Sequence, residues 1–311
     1  MANPVRIEAG FATIGQGAGP LMVTWKAGLF EKHGLEVPRP RLMGGARAVV
    51  RGLMTGEIQF GNLAAPAALR ANLAGDADLV FLTGGINQQF LMGRPGIDSR
   101  TQLAGKTIGF VGDGGLNDVL VRFVIEKLSA AGIAPVDTRT IPAGSRASLE
   151  AVVAGHCDAA VITPPEALEA KRRGCRFLVD FAEYGLNYAL GGIAARRATV
   201  EQHPEIVARF VRAYVEGMHR YRTDRPFTVA VQAEYSALSD RTIAEETYDL
   251  TRPGMPAVPY PSVPALQTVL DFIARELPGA IGADVRKFVD DRFIRELERH
   301  GFVASLDRSE A

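Results

Sequence analysis

The chain has 311 residues, 47% of them apolar, with 35 basic and 35 acidic side chains. That length suggests two domains or one large one, and the neutral total argues against a nucleic acid or a membrane surface as the main partner. Two cysteines, Cys157 and Cys175, give no zinc framework, and the five histidines show no HxxxH or HxH pairing, so neither a metal nor a cofactor is expected.

The N-terminus, MANPVRIEAGF, has no basic n-region and no apolar h-region. No run approaches the ~18 uninterrupted apolar residues of a membrane span, so no membrane insertion is expected. Met1 as the native start implies a cytoplasmic protein; a signal peptide removed ahead of it implies a periplasmic one.

In chain order, Val5 to Phe11 reads as a first strand, followed by the Gly-rich run Ala12 to Pro20. Leu21 to His33 reads as one amphipathic helix burying Leu21, Trp25 and Phe30, and Leu35 to Val37 begins the second strand. Gly44-Gly45 is a tight turn that brings backbone close to a ligand. Ala46 to Met54 is helical, ended by Thr55-Gly56, and Ile58 to Phe60 is a strand. A helix over Pro66 to Leu73 and a strand over Asp78 to Thr83 close on Gly84-Gly85. This alternation means an α/β layer with largely parallel strands.

A second series of the same kind follows. Gln88 to Gly93 is extended, Thr107 to Val111 is a strand, and Gly112 to Gly115 is a glycine turn before the helix Leu116 to Ala131. The strand Thr138 to Ile141 leads to Ser145, a plausible N-cap, and the helix Ser148 to Ala154. The strand Asp158 to Thr163 stops at Pro164-Pro165, before the helix Glu166 to Arg173 and the strand Arg176 to Phe181. Leu186 to Ala195 reads as a return strand. Beyond it the pattern is helical: Glu201–Thr223, introduced by the Glu201-Gln202-His203-Pro204 turn, then Pro226–Ser239, Arg241–Leu250, Ser262–Leu277 and Asp284–His300, with Asp307 onward frayed. The expected fold class is α/β with two lobes, the first formed by residues 1–92 and 191–311, the second by 93–190.

Several stretches resemble a known family. Trp25-Lys26-Ala27-Gly28-Leu29-Phe30-Glu31-Lys32-His33-Gly34-Leu35-Glu36-Val37 is similar to the first helix and second strand of the sulfonate/nitrate/taurine type substrate-binding proteins, also called NMT1/THI5-like. Gly44-Gly45-Ala46-Arg47, then Leu53 to Gly61, resembles the family's next helix and strand. Leu103 to Gly109 resembles the strand opening its second lobe, and His203-Pro204-Glu205-Ile206-Val207 its first C-terminal helix. The resemblance implies a type II periplasmic-binding-protein-like fold with a helical C-terminal tail packed on the first lobe. It also implies two lobes that close by a hinge on a small solute, with an ABC permease as a partner in most members. The family also holds enzymes: the pyrimidine synthase of thiamine biosynthesis, and relatives that decarboxylate or desulfinate aromatic acids. The cysteine-rich motif of the first is absent, and the first loop, Gly15-Gln16-Gly17-Ala18, has no Cys for a desulfinase nucleophile.

Candidate ligand contacts are residues at strand ends and helix starts, where open α/β sheets bind small molecules. In the first lobe these are Ile14, Gln16, Gly17, Gly44, Gly45, Ala46, Arg47, Asn62, Ala64 and Gly84. In the second they are Asp113, Gly114, Gly115, Gly144, Ser145, Arg146 and Thr163, with Asn187 and Tyr184 near the return crossing. Amides at Ala46, Gly115 and Arg146 suit a carboxylate or sulfonate. Gln16, Asn62, Ser145 and Thr163 supply neutral hydrogen bonds. No Ser-His-Asp or Cys-His arrangement is visible; as an enzyme, a decarboxylase or other lyase, the chain would depend on Asp113. The expected function is a solute-binding protein for a small polar or anionic molecule, the alternatives being such an enzyme or a sensor subunit with the same cleft.

Overall fold

The structure, a computed structural model, describes residues 4–85, 88–111, 114–133, 136–142, 144–184 and 191–308. Asp113 and Asn187 lie outside the described residues. The chain divides into two compact units, Met1–Ile86 with Ala189–Ala311, and Asn87–Tyr188.

The first unit begins with β1 (Val5–Arg6), β2 (Ala9–Phe11), α1 (Gly19–Lys26), α2 (Leu29–Lys32), β3 (Leu35–Glu36), β4 (Arg41–Leu42), α3 (Ala46–Thr55), β5 (Phe60–Ala64), α4 (Ala65–Ala74) and β6 (Leu79–Phe81). The second holds β7 (Phe90–Gly93), β8 (Thr107–Phe110), α5 (Leu116–Ala130), β9 (Asp137–Thr140), α6 (Ser145–Val153), β10 (Ala159–Ile162), α7 (Glu166–Arg172) and β11 (Arg176–Asp180). The chain then re-enters the first unit through β12 (Gly191–Arg196), α8 (Arg197–Gln202), α9 (Pro204–Thr223), α10 (Arg225–Tyr235), α11 (Arg241–Thr251), α12 (Val263–Ala274), α13 (Arg292–Arg299) and α14 (Phe302–Arg308).

The first unit's sheet has the order β4-β2-β5-β12-β6, and the second's β11-β7-β10-β8-β9. In the first, β2 runs parallel to β4 and β5, while β12 lies antiparallel between β5 and β6. In the second, β8 runs parallel to β9 and β10, while β7 lies antiparallel between β10 and β11. Each sheet is thus a parallel set with one antiparallel strand inserted in it. The hydrogen bonds of β7 to β10 and β11 explain why the unit boundary falls ahead of Phe90 rather than at the expected 92/93.

Close packing in the first unit depends on two small residues. A Cβ at Gly61 would stand 2.4 Å from Val49 Cγ1, and one at Gly217 would stand 1.9 Å from Thr24 Oγ1. Their absence lets α3 lie on β5 and α9 on α1. The core between sheet and tail is aromatic: Phe210 of α9 stacks on Phe60 at 3.9 Å and on Phe30 at 4.9 Å between ring centroids. Leu21 and Phe30 are fully buried as expected, whereas Trp25 packs at the margin of this core.

Three expected elements divide. The Val5–Phe11 strand splits, β1 pairing with β3 in a two-stranded sheet apart from β2. The Leu21–His33 helix breaks at Gly28, whose φ of 67° is left-handed. The Glu201–Thr223 segment also divides: Glu201 and Gln202 end α8, and the long helix starts at Pro204, within the turn expected to introduce it. Within Asp284–His300 only Arg292–Arg299 is α-helical. The frayed end begins later than expected, since α14 continues through Arg308. Both cysteines are free and buried, and among the described residues no helix is long and apolar enough to cross a membrane.

Candidate functional site

In the first unit, backbone hydrogen bonds gather the expected residues at the carboxyl ends of β2, β4 and β5. The Ala12 amide donates to the Asn62 carbonyl at 3.0 Å, the Met43 amide to the Phe11 carbonyl at 2.9 Å, and the Gly45 amide to the Ala12 carbonyl at 2.7 Å. These bonds bind the Gly-rich loop, the Gly44-Gly45 turn and the end of β5 to one another. Gly44 and Gly45 have φ of 80° and 135°, and a Cβ built on either meets no heavy atom within 4 Å. The turn therefore needs glycine for its backbone conformation, and space lies open beside it.

Gly45 is the N-cap of α3 and contributes no side-chain cap; its carbonyl accepts from the Ala48 and Val49 amides. Arg47, in the first turn, is exposed and makes no ion pair among the described residues. The half-buried Asn62 likewise makes no side-chain hydrogen bond among them. Gln16 is buried in the short turn Gln16–Ala18, which is held by the Tyr235 hydroxyl donating to the Gly15 carbonyl at 2.8 Å. Ile14 and Gly17 are half-buried in the same loop, Ile14 against the core. Ala64 caps α4 and pairs with Gly191. Gly84 differs from the rest, because its amide already donates to the Pro259 carbonyl at 2.6 Å.

In the second unit, Asn117 ties the end of β8 to β10: it accepts from the Val111 amide and donates to the Val161 carbonyl, each at 3.3 Å. Gly114 and Gly115 precede α5, Gly114 with φ of 69°. Ser145 and Thr163, both expected in the site, meet here. Their hydroxyls lie 2.5 Å apart, and the Thr163 amide donates to Ser145 Oγ at 3.1 Å. Ser145 is the first residue of α6 and Gly144 its N-cap, one position ahead of the expected cap. Arg146 does not extend a free cation: its Nη1 donates to both carboxylate oxygens of Glu169, each at 2.7 Å.

The sequence reading passed over Glu166. It stands at the start of α7, directly after Pro164-Pro165 ends the β10 segment, and only 7% of its side chain is exposed. Among the described residues its Oε2 has no hydrogen-bond partner, and the Arg146 guanidinium is 3.9 Å from Oε1. Burial pushes the carboxyl above its ordinary range; its own backbone amide and Arg146 act in the opposite direction, and Glu169 reinforces the rise. The signal available in the sequence was an acid placed immediately after a buried strand at its carboxyl end. Cys157, pushed up to about 11 by burial, is not a thiolate nucleophile at neutral pH. No group of three or more His, Cys, Asp or Glu positioned to hold a metal occurs among the described residues.

The family model described as NMT1/THI5 like matches residues 17–226, and the chain belongs to that family. No curated protein matches the sequence. A solved structure from Bordetella bronchiseptica RB50 is similar at 18% identity and TM-score 0.77, over 96% of this chain and 98% of that one. The periplasmic aliphatic sulphonate binding protein SsuA of Escherichia coli is similar at 18% identity and TM-score 0.72, over 94% and 99%. The periplasmic nitrate-binding protein NrtA of Synechocystis PCC 6803 is similar at 14% identity and TM-score 0.74, over 96% and 89%. At these identities the likeness is one of fold, the type II periplasmic-binding-protein class.

Proposed function

We propose that the chain is a solute-binding protein for a small polar or anionic organic molecule, working as the binding component of an ABC importer. The observation that carries this reading is that helices start at the strand ends without a capping side chain. Three helices that start at strand ends, α3, α4 and α6, have Gly45, Ala64 and Gly144 as N-caps, and none of them has a side-chain cap among the described residues. In the tail, α10, α11 and α12 are capped by the side chains of Asp224, Asp240 and Ser262, while α8, α9 and α13 have no side-chain cap among the described residues. A helix start without a capping side chain keeps backbone N–H groups for another acceptor, and its dipole favours an anion. Arg47 adds a full charge at the first of these starts.

The named binders of sulphonate and nitrate on the same fold support the same solute class. Fold alone serves binding and catalysis equally, so the test has to separate them. A thermal-shift screen of carboxylates, alkanesulfonates and nitrate should yield at least one acid that raises the melting temperature. Mass spectrometry should return that acid unchanged after prolonged incubation. A product peak, or a screen in which no acid shifts the melting curve, would reject the proposal.

A further inference from the structure

The strand-end region of the second unit holds a buried carboxyl, Glu166, one oxygen of which has no hydrogen-bond partner among the described residues. The charged groups that α6 and α7 bring beside Glu166 are Arg146, Glu150, Glu169, Lys171 and Arg172, with Arg173 just beyond α7. Arg146 is taken by Glu169 at 2.7 Å, and Arg173 donates to Glu150 at 2.7 and 3.2 Å. Of the other elements packed on α7, β7 brings no charge. On β11, Arg176 pairs with Asp98 at 3.1 Å, and Asp180 accepts from the Ala182 amide at 2.8 Å. Arg146 and Arg173 are thus engaged by Glu169 and Glu150, and the carboxyl without a donor on one oxygen is the buried Glu166. A buried carboxylate oxygen without a donor is costly, and the same oxygen given a charged donor becomes a strong contact.

Neighbouring groups are placed to complete such a contact. Ser145 and Thr163 are bonded to each other at the same strand end, so their hydroxyls are oriented. The Gly144 turn before them has φ of 104° and open space where a Cβ would lie.

From the placement of this carboxyl we infer that Glu166 is a specificity-determining residue that accepts a hydrogen bond from a protonated nitrogen of the solute. This rests on the solute-binding reading and narrows it. The solute class becomes acids that also carry an ammonium or amidinium group, the nitrogen being served by Glu166. Proton exchange is not required: the nitrogen donates, Glu166 Oε2 accepts, and no bond is broken.

The test uses matched probes on the full chain: 4-aminobutanoate against butanoate, and 4-(aminomethyl)benzoate against 4-methylbenzoate, with binding measured by calorimetry at pH 7.5. For at least one pair the aminated member should bind wild-type protein tighter by about tenfold or more. In Glu166→Gln, which keeps the shape of the side chain, the ratio should collapse to about one while the non-aminated acid keeps its affinity. An unchanged melting curve at acidic pH checks that the variant is folded. Equal or weaker binding of both aminated probes, or a preference that survives Glu166→Gln, overturns the inference. If the plain acids bind without that preference, the solute-binding reading stands and only the role of Glu166 falls. If none of the four probes binds, this inference fails as stated, while the broader acid screen still decides the solute-binding reading.

Discussion

The two units share one strand pattern and end it with different chemistry. In both, a parallel set takes in one antiparallel strand, β12 in the first and β7 in the second, and uncapped helices start at the strand ends. Yet the first unit presents an exposed Arg47, without an ion pair among the described residues, beside an open glycine turn, whereas the second neutralises Arg146 with Glu169 and buries Glu166. Topology fixes where side chains gather. Which charge is left over depends on contacts between helices distant in sequence, and that remainder is what a solute meets.

The largest expected effect tests the separateness of the two units. Phe210→Ala removes the ring stacked on Phe60 and Phe30 and should destabilise the first unit by about 3–5 kcal/mol. Hydrogen exchange should then rise in β2 and β5 while β8 and β10 stay protected. Equal loss of protection in both sheets would show that the units unfold as one.

Next in size is the contrast between the two arginines. Arg47→Ala should weaken binding of the best acid by about 1–3 kcal/mol, the range for a hydrogen bond to a charged group. Arg146→Ala should change stability by less than about 1 kcal/mol, because its pair with Glu169 is half exposed, and should leave acid affinity nearly intact. The reverse order of effects on affinity, read by calorimetry, would undo the assignment of acid to the first unit.

A smaller step tests whether a tail-helix cap serves stability alone. Ser262→Ala removes a side chain that accepts from the Ala265 amide at 3.3 Å, and should lower stability by about 1 kcal/mol in urea titrations without affecting solute binding. Loss of binding in this variant would mean that the tail helices are part of the site.

The smallest effect is a slope. A carboxyl raised by burial holds its proton more tightly in the folded chain than in the unfolded one. Its contribution is therefore lost as pH rises from the ordinary carboxyl range through the raised value. Glu166→Gln should gain stability relative to wild type over that interval and level off above it. A wild-type minus variant difference that does not change with pH would show Glu166 to be free of the burial that the structure gives it.

Much of this architecture was legible in the sequence, because strands, glycine turns and helix starts are local signals. Gly44-Gly45 before Ala46, and the buried run Asp158 to Thr163, announce their positions directly. Ser145 and Thr163 were named separately from such signals, and the structure joins them. What was illegible is non-local. Glu169 reaches Arg146 across 23 residues by packing of α7 on α6, and Glu166 reads as an ordinary acid in a first helical turn until its burial is known. The Gly28 break escaped for a different reason: a single glycine in an amphipathic pattern leaves the hydrophobic spacing unchanged, and only its φ shows that the helix stops.

The placement of β12 has a consequence for how the chain is made. Residues 87–188 are contiguous, so every strand of the second sheet has been synthesised before Gly191 emerges. At that moment the first sheet is still in two pieces, since β6 joins β5 only through β12. Phe60 and Phe30 also wait for Phe210, which arrives later still. During vectorial synthesis the inserted unit is complete first, and the unit that begins the chain is the last to close its core.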